Sequence, residues 1–187
     1  MDTGGVNRIR YDDIATLIAN RRPSCGNTIV VALDGPSGSG KTTVADKLAF
    51  VTGAAVLHFD DIYPGWHGLA ATPPLVRRDV LDPIAAGEMG AAHRWDWVAN
   101  KQGPLMEVSP TRLLILDGVG SGSAIIRPYL SLLLWLEAPL EVRKRRALAR
   151  DAGAYEPFWE TWAAQEDLHF EAEQTSSHAD RIIDTGA

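Results

Sequence analysis

The strongest constraint on this chain lies between residues 28 and 43. The run Thr28-Ile29-Val30-Val31-Ala32-Leu33 passes straight into Asp34-Gly35-Pro36-Ser37-Gly38-Ser39-Gly40-Lys41-Thr42-Thr43. Gly35 to Thr42 fits G-x-x-x-x-G-K-[ST] without a gap, in the strand, loop and helix order that the motif requires. Glycines let the backbone curl closely around an anion with its N–H groups pointing inward. The helix that follows brings its positive end to the same place. Gly35, Ser37, Gly38, Ser39, Gly40, Lys41, Thr42 and Thr43 are therefore expected to cradle a triphosphate. Lys41 reaches for the β- and γ-phosphates, and the Thr42 hydroxyl is placed to ligate Mg²⁺. A dinucleotide fingerprint is the nearest confusable pattern, but Thr43 stands where its third glycine belongs. The expected ligands are a nucleoside triphosphate and Mg²⁺.

Composition narrows the setting. The chain has 187 residues, enough for one domain with an adequate core. A net charge of −6 and no dominant basic stripe argue against a nucleic-acid partner. The one cysteine, Cys25, cannot form an internal disulfide, which suits a reducing cytoplasm. No signal-peptide pattern opens the chain, and the longest apolar run, Leu132 to Leu136, is far too short to span a membrane. A cytoplasmic protein with a small-molecule partner is expected, and a homo-oligomer is left open.

Periodicity supplies the layout. Tyr11, Ile14, Leu17 and Ile18 recur at helical spacing, so residues 10–21 read as an amphipathic helix stopped by Pro23. Residues 28–33 are continuously apolar, as in a parallel strand buried on both faces, and 54–59, 113–116, 131–136 and 180–184 read as further strands. Helices are expected at 41–52, 73–86, 121–129, 139–151 and 155–174, and a small hairpin within 88–111 is left open. Strands alternating with helices predict a three-layer α/β/α fold with a mostly parallel five-stranded sheet. One domain over 1–187 is expected, with an N-terminal helix in 1–22, an acceptor-binding insertion near 60–111 and a helical lid near 143–158.

Ligands in such sheets bind beyond the carboxyl ends of the strands. Asp60 and Asp61 follow the second strand, and one of the pair is placed to take a proton from a substrate hydroxyl. Asp60 is the favoured base, with Asp61 assisting Mg²⁺ or positioning; a solvated turn is the plain alternative. Asp117 ends an apolar strand and is a candidate Mg²⁺ ligand, although a helix-capping acid would look the same. Arg143, Arg146 and Arg150 share one helical face. Arginines there would stabilise a transferring phosphoryl group, and Asp151 to Ala154 reads as a hinge; a solvated basic face is the plain alternative. Trp66 and Trp97 lie in loop-like segments with Arg78, Arg94 and Asp96 near in sequence, a mixture that suits the wall of a flat, polar ring site.

In this order, the phosphate loop, Phe59-Asp60-Asp61-Ile62-Tyr63, Trp95-Asp96-Trp97 and the 143–150 helix resemble the uridine kinase branch of P-loop nucleoside and nucleoside-monophosphate kinases. The chain is especially similar to the short actinobacterial uridine kinase-like type. The resemblance implies ATP- and Mg²⁺-dependent phosphoryl transfer, with Asp60 as base, Tyr63 against the acceptor and Arg146 and Arg150 as lid arginines. Trp95 stands where that family usually has Tyr, and Asp117 where close relatives often have Glu. The implied acceptor is a nucleoside hydroxyl. A nucleoside monophosphate such as CMP is the runner-up, in which case Arg78 and Arg94 would matter more. A nucleotide-binding regulator or ATPase is the reading from a different class.

Overall fold

A computed structural model describes residues 10–150 and 155–186, apart from the side chain of Arg150. Five strands form one sheet: β1 (Ile29–Asp34), β2 (Ala55–His58), β5 (Leu113–Asp117), β6 (Leu132–Glu137) and β7 (Arg181–Asp184). Their order is β2-β5-β1-β6-β7, and every pairing is parallel. β1 is buried at all of its positions because it lies at the centre, with helices over both faces. Its side chains alternate between two cores. Val31 and Leu33 pack with Val44 and Leu48 of α2 (Lys41–Thr52) and with Ile14 and Ile18 of α1 (Tyr11–Ala19). Val30 faces the opposite way, into a core with Leu57, Leu114, Val80 and Trp162. Those three layers are the ones the sequence predicts.

Strand order places the chemistry. Leu33 pairs with Asp117 across β1 and β5, and Asp117 pairs with His58 across β5 and β2. The phosphate loop, Asp117 and the turn carrying Asp60 and Asp61 therefore stand side by side at the carboxyl edge. The chain leaves β1 toward β2 on one side and crosses from β5 to β6 on the other, so the loop sits where the winding changes direction.

Residues 88–111 do form a hairpin, β3 (Gly90–Asp96) and β4 (Lys101–Val108), antiparallel with an irregularity between His93 and Trp95. Three helices differ from expectation. Residues 73–86 divide into α3 (Thr72–Val76), a π-helical turn (Arg77–Leu81) and α4 (Asp82–Ala85). Pro83 has no N–H to continue a regular ladder at that point. Residues 121–129 are turns ending in a 3₁₀ turn, Arg127–Tyr129, not an α-helix. The N–H groups of Gly120 and Gly122 there point at the carboxylate of Asp34 rather than along a helix axis. The last helix, α6, starts at Trp159 and runs to Glu173, because Pro157 lies in a separate 3₁₀ turn before it. α5 spans Leu140–Arg150. The expected hinge at residues 151–154 lies outside the described residues.

Candidate active site

A cavity of about 760 Å³ opens at the carboxyl edge of the sheet. Its floor is the phosphate loop and the start of α2, from Ser37 to Thr43, and its far end is walled by Asp60, Asp61, Trp66 and Trp97. Glycine is demanded at two loop positions. Gly35 has φ +136°, and a Cβ there would lie 2.0 Å from the carbonyl oxygen of Leu136. Gly38 has φ +77°, and its Cβ would lie 2.2 Å from the carbonyl oxygen of Arg143. The loop is thus wedged between β6 and α5. α2 starts behind Gly40 without a side-chain cap, which leaves its first N–H groups for a ligand.

Lys41 is buried, and its Nζ donates to the carbonyls of Gly35 (2.7 Å) and Pro36 (3.1 Å). It lies folded over the loop, within reach of an anion in the cavity. Beneath the loop, Asp34 is fully enclosed and accepts from the N–H groups of Gly35, Gly120 and Gly122. Burial pushes its carboxyl up to about 6, against the pull of those three donors and of Lys41. At neutral pH it is a carboxylate that clamps the loop to the 118–122 turn. The sequence did not single out Asp34, because an acid at a strand end looks ordinary.

Asp117 lies at the cavity wall and is 3% exposed. Its Oδ2 pairs with His58 Nδ1 at 2.8 Å, and its Oδ1 is buried with no hydrogen-bond partner among the described residues. The hydrogen bond from His58 to Asp117 raises the histidine, against the opposing effect of burial. An orphaned carboxylate oxygen on the cavity that also contains Thr42 fits a hard cation completed by phosphate oxygens and water. No cluster of three or more acidic, histidine or cysteine ligands exists among the described residues.

Asp60 and Asp61 sit in a 3₁₀ turn (Phe59–Asp61) whose Phe59 is fully buried as an anchor. The hairpin grips this turn, since Trp97 Nε1 donates to the Asp60 carbonyl at 2.9 Å. Tyr63 is enclosed, and burial raises its phenol well above its ordinary value. The hydroxyl donates to the Val119 carbonyl at 2.9 Å, so it is the ring that Tyr63 presents to the cavity. Trp66 stacks on Phe158 (4.4 Å, 8°) and Tyr155 (5.2 Å, 14°) and leans on Trp97 at 4.7 Å. Trp66 and Trp97 thus come together at the cavity, joined by Tyr155 and Phe158 from the segment before α6.

The arginines divide. Arg146 lines the cavity, and its guanidinium donates to Thr185, whose hydroxyl donates on to the Ser39 carbonyl at 2.7 Å. Arg143 donates to the Ser37 carbonyl, fixing α5 to the loop. The side chain of Arg150 lies outside the described residues. Arg78 pairs with its neighbour Asp79 and faces a smaller cavity of about 290 Å³ behind the hairpin. Arg94 does not line the main cavity and lies 3.8 Å from Asp61. Thr185 and Glu166 are site residues that sequence reasoning missed. Glu166 sits on a helix that also carries Glu160, Asp167, Glu171 and Glu173, so no pattern marks it out.

No protein-family model matches the chain, and no curated protein sequence does either. Solved structures match its fold. A possible uridine kinase from Bacillus stearothermophilus superposes with a TM-score of 0.68 at 19% identity, over 93% of this chain and 97% of that one. A candidate fructose transport system kinase from a Silicibacter species gives 0.66 at 17% identity, over 94% and 100%. D-glycerate 3-kinase from Cryptococcus neoformans gives 0.57 at 13%, over 95% and 96%. At these identities the likeness shows a shared fold, a parallel five-stranded sheet flanked by helices.

Proposed function

We propose that this chain is an ATP- and Mg²⁺-dependent kinase that phosphorylates a hydroxyl of a small acceptor carrying a flat ring, a nucleoside in the first instance. The observation that carries the reading is one continuous cavity with a phosphate loop at one end and a carboxylate, Asp60, beside aromatic rings at the other. The fold shared with kinases that act on small hydroxylated molecules supports it.

In this reading the loop amides and Lys41 hold the triphosphate and offset charge on its oxygens. The acceptor ring lies against Trp97 and Tyr63, with its hydroxyl toward Asp60. As the acceptor oxygen bonds to the γ-phosphorus, the bond from that phosphorus to the ADP oxygen breaks. The hydroxyl proton passes to Asp60. Thr42 and Asp117, with Asp61 nearby, would hold Mg²⁺, which supplies further charge neutralisation on the phosphates. Arg146 borders the same space. Segment 143–158, which contributes Tyr155 and Phe158 to the stack on Trp66, acts as the lid that excludes water.

The arginines favour a neutral acceptor over a nucleoside monophosphate. A phosphate-bearing acceptor needs cations at its end of the cavity, whereas Arg78 pairs with Asp79, and Arg94, which does not itself line the cavity, faces the carboxylate of Asp61 at its wall. A panel of nucleosides, nucleoside monophosphates, sugars and sugar acids, incubated with MgATP and read by mass spectrometry, tests the proposal. A phosphorylated nucleoside is the expected product, and phosphorylation of sugars or sugar acids alone would overturn the flat-ring acceptor. Phosphorylation of monophosphates alone would overturn the acceptor assignment, and ATP turnover indifferent to the whole panel would overturn the kinase reading.

A further inference from the structure

Glu166, in the middle of α6, is a buried acid that the proposed chemistry leaves without a task. It is 3% exposed, yet one oxygen, Oε1, accepts three hydrogen bonds. Two come from the phosphate loop, the Ser37 N–H at 2.9 Å and the Ser37 hydroxyl at 2.5 Å. The third comes from Trp162 Nε1 at 2.9 Å. An enclosed carboxylate is expensive to desolvate, and an apolar side chain would fill the same space at less cost. Donors converging from two separate elements onto one oxygen make the charge tolerable and the geometry rigid.

What lies on either side of Glu166 gives the arrangement its meaning. On the loop side, Lys41 contributes an attractive charge to it, although that amine is now spent on the carbonyls of Gly35 and Pro36. A triphosphate at the loop draws Lys41 toward phosphate and changes the field at Glu166. On the other side, the Trp162 ring meets Tyr63 edge-on at 4.8 Å and Trp66 at 6.3 Å. Trp66 in turn touches Trp97, the residue that grips the Asp60 carbonyl. A packed path of defined contacts thus runs from the loop to the acceptor wall.

We infer that Glu166 is a positioning residue that couples the phosphate loop to the aromatic wall, so that a nucleotide arriving at the loop is registered at Trp162 and at the acceptor chamber behind it. The inference rests on the reading of the loop as an ATP site, and the experiment separates the two. The full chain is titrated with Mg²⁺ and the non-hydrolysable analogue AMP-PNP, following affinity by calorimetry and tryptophan emission in parallel. Wild type is expected to bind with a change in emission, and Trp162→Phe is expected to lose most of that change. Glu166→Gln exchanges charge-assisted hydrogen bonds for neutral ones. It should weaken AMP-PNP about tenfold and suppress the emission response of the bound protein.

A residue that merely braced α6 would give a different result. Glu166→Gln would melt at lower temperature while binding AMP-PNP within about twofold of wild type, with its emission response intact. That outcome, or an undiminished response in Trp162→Phe, overturns the inference. Should Glu166→Gln fail to fold, Ser37→Ala removes one loop donor and should weaken binding by about threefold with a partial loss of response. Wild-type affinity and response in that variant count against the coupling. Absence of any AMP-PNP binding by wild type is a distinct result. It overturns the ATP-site reading and the coupling with it.

Discussion

Asp34 offers the sharpest quantitative test of how the phosphate loop is held. Its carboxylate is enclosed, accepts three backbone N–H groups and still titrates at about 6, where an unperturbed aspartate titrates at 3.8. A group that keeps its proton more tightly when folded stabilises the fold at low pH. That stability is lost as pH rises from the unfolded value through the folded one. At about 1.36 kcal/mol per pH unit, the rise from 3.8 to about 6 makes the ionised form cost about 3 kcal/mol at neutral pH. About half of this cost is relieved between about pH 7.5 and about pH 5, which gives an expected gain of about 1.4 kcal/mol.

Denaturant unfolding of wild type and Asp34→Asn at both pH values checks the prediction, because the asparagine does not titrate. Glu166, which burial also raises, and the histidines are present in both proteins and largely cancel. The stability of wild type relative to the variant should increase on acidification by about 1.4 kcal/mol. A flat difference, or one of opposite sign, refutes the argument that burial outweighs the three donors. Carbon-13 NMR of the Asp34 carboxyl gives the same answer without a mutation. A midpoint near 6 is expected, and one at or below the usual aspartate value would refute it.

Three further outcomes follow from the site. Asp60→Asn should slow phosphoryl transfer by about 10²- to 10⁴-fold while calorimetry shows AMP-PNP binding unchanged; near-normal transfer would remove Asp60 as the base. Gly38→Ala places a methyl 2.2 Å from the Arg143 carbonyl at a φ of +77°, so the loop must leave α5, and AMP-PNP affinity should fall below detection. Asp117→Asn should raise the Mg²⁺ concentration needed for half-maximal transfer, read from a metal titration at saturating ATP.

The two halves of the cavity were not equally legible in the sequence. The phosphate half is written contiguously, since strand, turn glycines, lysine and helix follow one another and each residue type has one physical reason to be there. The parallel sheet was legible for a related reason, because strands buried on both faces read as unbroken apolar runs. The half proposed to take the acceptor is assembled from three distant stretches, Asp60 to Trp66, Trp97 and Tyr155–Trp162. Aromatic residues there announce a site without announcing who touches whom. The stack of Phe158 on Trp66 and the grip of Trp97 on the Asp60 carbonyl are tertiary facts with no local signature. The 118–123 segment shows the same limit. The helix expected at 121–129 gives way to turns where Asp34, more than 80 residues earlier, captures the N–H groups of Gly120 and Gly122.

The partners missing from the sequence reading explain how a loop built of N–H donors keeps its shape. Adjacent donors that all face one point repel each other until an anion arrives. Here alternate positions are satisfied from within the protein: Gly35 N–H by Asp34, Ser37 N–H by Glu166 and Ser39 N–H by the Pro36 carbonyl. Gly38 lies between two of those anchored positions and Gly40 just after the last; both are in the left-handed region that favours glycine, and both border the cavity. Two buried carboxylates thus brace the loop from opposite sides, and Lys41 is an attractive charge to both. The buried charge that weakens the fold at neutral pH is the same charge that holds the phosphate cradle open. Substitutions that relieve it should therefore separate stability from nucleotide affinity, raising the first while lowering the second.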